Sequence, residues 1–177
     1  MPVTVSITED NLFKALGEFI KGLVDCPVVR SQVNRVAMPA GDVIEMTTVL
    51  MPALSTPVES YTDEGDIHTR NLTRSTQWTA QIDCYGDGAG NRATALSVAF
   101  RSDYACEQFA ATGLQIQPLY ATDPNQLPLT TAENQYLERW TFETVFQFNP
   151  TICLPQQFAD ALVIGLINVD ATYPPGA

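Results

Sequence analysis

The stretch from Leu72 to Tyr85, LTRSTQWTAQIDCY, alternates in side-chain character with a period of two. Leu72, Trp78, Ala80, Ile82 and Cys84 fall on one side, and Thr73, Ser75, Gln77, Thr79, Gln81 and Asp83 on the other. Successive side chains of a strand point to opposite faces, so the pattern predicts a strand with one buried and one wetted face. A parallel strand covered on both sides would be apolar almost throughout, so this strand belongs to an antiparallel sheet. A second run, YLERWTFETVFQF, repeats the pattern and places Tyr136, Trp140, Phe142, Phe146 and Phe148 together.

Such one-sided strands need something to cover the apolar face. SITEDNLFKALGEFIKGLVD supplies it, with Leu12, Phe13, Leu16, Phe19, Ile20 and Leu23 at helical spacing. Ser6 and Glu9 have capping-box spacing, and Pro27 closes the segment. A second helix is read over NRATALSVAFRSDYACEQFAAT, with Ala93, Leu96, Phe100 and Tyr104 on one face and Gly113 placed to stop it. DVIEMTTVLM and LQIQPLYA read as further strands, TDPNQLPLTTAEN as a loop, and ALVIGLINV as a last apolar strand. Helix, strands, helix, strands is the order of an α+β fold, with two helices packed on one face of a largely antiparallel sheet. At 177 residues the chain suits a single domain, 1–177. An acidic loop, or the tip of a long hairpin, is expected at about 52–70, where Glu59, Asp63, Glu64 and Asp66 cluster around Gly65.

Charge and cysteine spacing exclude several functions. The net charge is −11, and Arg139 alone among basic residues follows Arg101, so no basic patch for phosphate backbones is visible. Cys26, Cys84, Cys106 and Cys153 match no zinc spacing and read as reduced thiols from a reducing cytoplasm. No signal peptide or membrane span is indicated. The sequon Asn71-Leu72-Thr73 lacks a secretory context.

The turn YGDGAG, between the alternating strand and the second helix, invites a nucleotide-binding reading. Gly86, Gly88 and Gly90 have the wrong spacing for a dinucleotide fingerprint, and no lysine follows Lys21 to serve a P-loop. The turn is read instead as a structural hinge, with Gly86 and Gly88 at positive φ and Asp87 as the helix N-cap. His68 is the sole histidine, beside Asp63, Glu64 and Asp66. Carboxylates and imidazole could hold a divalent cation, so the alternative reading is a small ligand- or metal-binding enzyme using this loop. No second histidine fixes its geometry, and neither a cofactor, a metal site nor catalytic residues are assigned.

The words NRVAMPAGDVIEMTTV, TQWTAQIDCYGDGAGNRA, YACEQF, LYATDPNQLPL and LINVDATYPP, in this order, resemble the neck or tail-terminator proteins of tailed bacteriophages. The resemblance covers roughly residues 10 to 175. It implies a tail-terminator-like domain and a virion structural protein without enzymatic activity, assembled in the host bacterial cytoplasm. It implies a homo-oligomeric ring, commonly a hexamer, at the neck or head-tail junction. Its implied partners are tail tube and sheath proteins on one side and neck or head-side connector proteins on the other. Genomic DNA would pass through the lumen without specific binding. Candidate assembly contacts are His68 and, in a C-terminal arm at about 171–177, Tyr173, Pro174 and Pro175.

Overall fold

The computed structural model describes residues 3–32, 41–127, 129–130, 136–159 and 165. In chain order the elements are β1 (Thr4–Val5), α1 (Glu9–Lys21), β2 (Val28–Arg30), β3 (Val43–Leu50), β4 (Val58–Glu64), β5 (Ile67–Thr73) and β6 (Thr76–Tyr85). Then follow α2 (Ala89–Phe100), α3 (Asp103–Ala111), β7 (Ile116–Ala121), β8 (Asn125–Gln126), β9 (Leu129–Thr130), β10 (Tyr136–Leu137), β11 (Arg139–Phe148) and β12 (Thr151–Pro155). The fold is α+β and mostly antiparallel.

The main sheet has the order β2-β3-β6-β11-β7, with β8 beside β11. The alternating strand β6 is central, antiparallel to β3 on one side and β11 on the other. Among the described residues only β2 joins in parallel, against β3. Trp78, Ala80, Ile82 and Cys84 are buried under the helices together with Phe142, Phe146 and Phe148. The helices reach that face through aromatic contacts. Phe13 meets Trp78 edge-on at 5.4 Å, and Phe100 and Phe109 meet Phe146 at 4.9 and 5.0 Å. Offset and edge-on ring pairs add specificity to the area they bury.

Several expectations are corrected. The long alternating segment is two strands, because Arg74 and Ser75 interrupt it. Asn149 and Pro150 interrupt the partner strand at the same level, so the ladder from Thr76↔Phe148 resumes at Thr73↔Thr151 in a second sheet. That sheet has the order β1-β12-β5-β4. Of the two alternatives for 52–70, a loop or the tip of a long hairpin, the hairpin is found: β4 and β5 pair and close at Glu64↔Ile67, with Gly65 at φ 57°. A glycine at the first central position suits a two-residue hairpin turn.

The second helix is two, α2 and α3, separated at Arg101 and Ser102. The Ser102 hydroxyl donates to the Ala99 carbonyl at 2.6 Å, a local bond that competes with helix continuation. Three helices, not two, therefore cover the sheet among the described residues. In α1 the cap is Thr8 with Asn11, not Ser6 with Glu9. Thr8 accepts from the Asn11 backbone, and Asn11 accepts from the Thr8 backbone, so the same reciprocal logic acts two residues later. The expected loop after Ala121 carries the short strands β8 and β9. Tyr136 is 85% exposed, so the apolar side of β11 begins at Trp140. Apart from Gly165, the ALVIGLINV strand and the arm with Tyr173, Pro174 and Pro175 lie outside the described residues.

Candidate functional site

The glycine turn joins the central strand to α2. Gly86 has φ 90° and Gly88 φ 73°, a region where a side chain is strained. A Cβ on Gly86 would also stand 2.9 Å from the Asp42 Cα, so the position is closed twice over. Gly90, inside α2, has ordinary helical φ but faces Trp140, whose ring a Cβ would meet at 2.9 Å. The glycines thus set how closely strand, helix and β3 approach.

Asp87 is not the cap. The N-cap is Gly88, and no side chain of the turn bonds the first helical N–H groups. The charge at this helix end comes from a distant residue. The Glu138 carboxylate accepts from the Gly90 N–H at 3.4 Å and from the Trp140 indole at 2.9 Å. Arg92 closes the turn from inside the helix. Its Nη2 donates to the Tyr85 carbonyl at 2.7 Å, and its Nη1 to the Asp87 carbonyl at 2.8 Å and to Asp42 Oδ2 at 3.2 Å. Sequence reading missed Glu138, Arg92 and Asp42. Their spacing carries no local signal, since 50 residues separate Arg92 from Asp42 and 48 separate Gly90 from Glu138. A phosphate at this helix start would meet the Glu138 carboxylate.

The polar side of β6 is less wetted than its alternation suggests. Thr79 and Asp83 are each 3% exposed. Asp83 is compensated: Oδ1 accepts from Arg139 at 3.0 Å and Oδ2 from Gln81 at 2.7 Å. A buried carboxylate is tolerable when paired and hydrogen-bonded. Beside it, burial foremost, together with the charges of Asp83 and Glu45, pushes the Tyr85 phenol up to about 12. Burial pushes the Cys84 thiol up to about 12 as well, and also raises Cys26. Thiols held protonated are poor nucleophiles and metal ligands.

His68 lies on β5, with Nδ1 2.7 Å from Asp63 Oδ1 across the hairpin. Its ring is 6.2 Å from that of Phe158, which also meets Tyr61 at 6.1 Å. Glu59 pairs with Arg70 on the same side, and these bonds hold its carboxyl below the usual range. Among the described residues no group of three or more His, Cys, Asp or Glu is arranged to hold a metal ion. None of the described helices is long and apolar enough to cross a membrane.

These features define a class: an α+β protein with helices on one side of an antiparallel sheet, whose polar groups engage its own turns and strand pairs. The chain belongs to the phage neck terminator protein family, whose model matches residues 10–174. It is accordingly a structural protein of the phage neck. No curated protein matches it significantly.

Proposed function

We propose that the protein closes into a ring, a hexamer, that terminates the tail tube and joins it to the head-side connector. The family match over residues 10–174 carries this reading, because a neck component must meet both head and tail proteins. Closed assembly of identical chains around the tail axis needs heterologous contacts related by rotation. The fold supports it with two separate sheets, one covered by helices and one outside the core cluster. An acidic chain also suits a passage for DNA, since like charge discourages sticking. In this reading tube and sheath proteins bind one side, connector proteins the other, and assembly takes place in the host cytoplasm without catalysis. His68, Tyr173, Pro174 and Pro175 are its candidate contacts.

Native mass spectrometry of the purified chain, with electron microscopy of particles, tests the proposal. The expected species is a multiple of the 19.4 kDa chain, six copies in one layer at the neck. A chain that stays single at particle-like concentration, or density for it elsewhere in the virion, overturns it. His68 has one carboxylate partner and no further ligand within its hairpin, so a metal-dependent reading gains no support from the geometry.

A further inference from the structure

The second sheet is unusual in having no buried residue in any of its four strands. None of its side chains belongs to the core cluster. A small sheet ordinarily depends on a packed face for its stability. Its two faces also differ sharply. The registers Val58↔Thr73↔Thr151, Ser60↔Asn71↔Cys153 and Thr62↔Thr69↔Pro155 put these residues on one face, with Glu64 and Ile67 at the tip. Apart from Glu64 this face is uncharged and largely β-branched. The opposite face carries the ionic groups, Glu59 with Arg70 and Asp63 with His68.

Two copies that each carry −11 repel one another wherever their charged surfaces meet. Surface free of charge is where that repulsion opposes close association least. The uncharged face is such a surface, and it exposes Val58 at 67% and Ile67 at 58%. Its β-branched side chains have little rotamer freedom to lose on docking. We propose that this face, bearing Val58, Thr62, Ile67, Thr69 and Cys153, is one half of the heterologous contact through which one copy packs on a different surface of the next. The inference rests on the ring reading above and adds where the contact lies. The salt-bridged face is left to other neck proteins or to solvent.

Cys153 is a native probe, because it is exposed in the single chain and stands in the middle of the face. Iodoacetamide labelling, read by peptide mass spectrometry, is compared between the isolated ring and chain diluted to the dissociated state. Cys153 labelling falls severalfold in the ring, while Cys106 on α3 keeps its rate. The double variant Val58→Glu with Ile67→Glu remains folded by circular dichroism but sediments as a single chain. Val98→Glu, an equally exposed position on α2 at 65%, leaves the ring intact. A wild-type chain that never assembles removes the ring reading and this inference with it. A ring whose Cys153 reacts at the free rate removes the inference alone. So does protection seen only in whole particles, which assigns the face to a different neck protein. Equal dissociation by Val98→Glu removes it too, because the effect is then one of added charge anywhere.

Discussion

Glu138 reaches the first turn of α2 from the start of β11 and does there what a neighbouring cap residue usually does. A carboxylate near a helix N-terminus is favoured by the free N–H groups and the dipole. Glu138→Ala is therefore expected to destabilise by about 1 kcal/mol in urea unfolding, the usual cost of losing a cap. Asp87→Ala is expected to change stability much less, because Asp87 bonds no helical N–H. Equal costs for the two would contradict this geometry. Gly90→Ala is expected to cost about 1–3 kcal/mol, the range for overpacking, since Trp140 is fixed by its bond to Glu138 and cannot give way cheaply. Alkaline titration offers a further check. The Cys84 and Tyr85 groups have folded values raised above those of the unfolded chain, so the folded state binds more protons there. Their contribution is whole below about pH 9 and is lost as pH rises toward 12. The free energy of unfolding should decline over that window, by up to about 1.4 kcal/mol per pH unit for each group, and the melting temperature with it. Cys84→Ala should flatten the decline. A slope unchanged in that variant would assign the loss to other groups.

At the scale of elements, β6 and β11 are flanked on both sides within the main sheet and lie under three helices, whereas β4 is an edge strand with no buried residue. Local opening free energy follows such differences in burial. Hydrogen exchange should therefore be slowest in β6 and β11 and fastest in β4, with β5 between them. Slow exchange in β4 of the free chain would contradict this, while slowing on assembly would agree with the contact face proposed above. The elements were unevenly legible. α1, β6 and β11 were readable because each repeats a period over many residues, and β3 because it is rich in β-branched residues. β4 was not, since Ser, Thr, Asp and Glu without apolar alternation look the same in a loop and in a two-sided exposed strand, and β12, TICLP, is too short, with Pro150 before it and Pro155 at its end, to show a period. The break between α2 and α3 was missed because the apolar spacing runs through Arg101 and Ser102, although the backbone does not.

For the whole molecule, charge sets the conditions of assembly. A ring of chains at −11 each is opposed by long-range repulsion that salt screens. The screening length falls from about 30 Å at 0.01 M to about 8 Å at 0.15 M ionic strength. Sedimentation should therefore show the ring gaining stability as salt rises across that range. Weakening with salt would mean that ion pairs, not uncharged faces, hold the copies together.

The sequence alone determined which side of the alternating strands β6 and β11 faces the helices, the presence of amphipathic helices to cover it, and hence the α+β class. Period and polarity are local properties, and they survive without knowledge of any neighbour. It also carried the words that resemble the family to which the chain belongs. Only the tertiary structure decided which residues serve the glycine turn, because Asp42 stands just before β3, Arg92 in α2 and Glu138 just before β11. It alone decided that the ladder breaks into two sheets and that the second has no core of its own. Strand register sorts the side chains of β4, β5 and β12 into a charged and an uncharged face, and register is a relation between strands that no single strand contains.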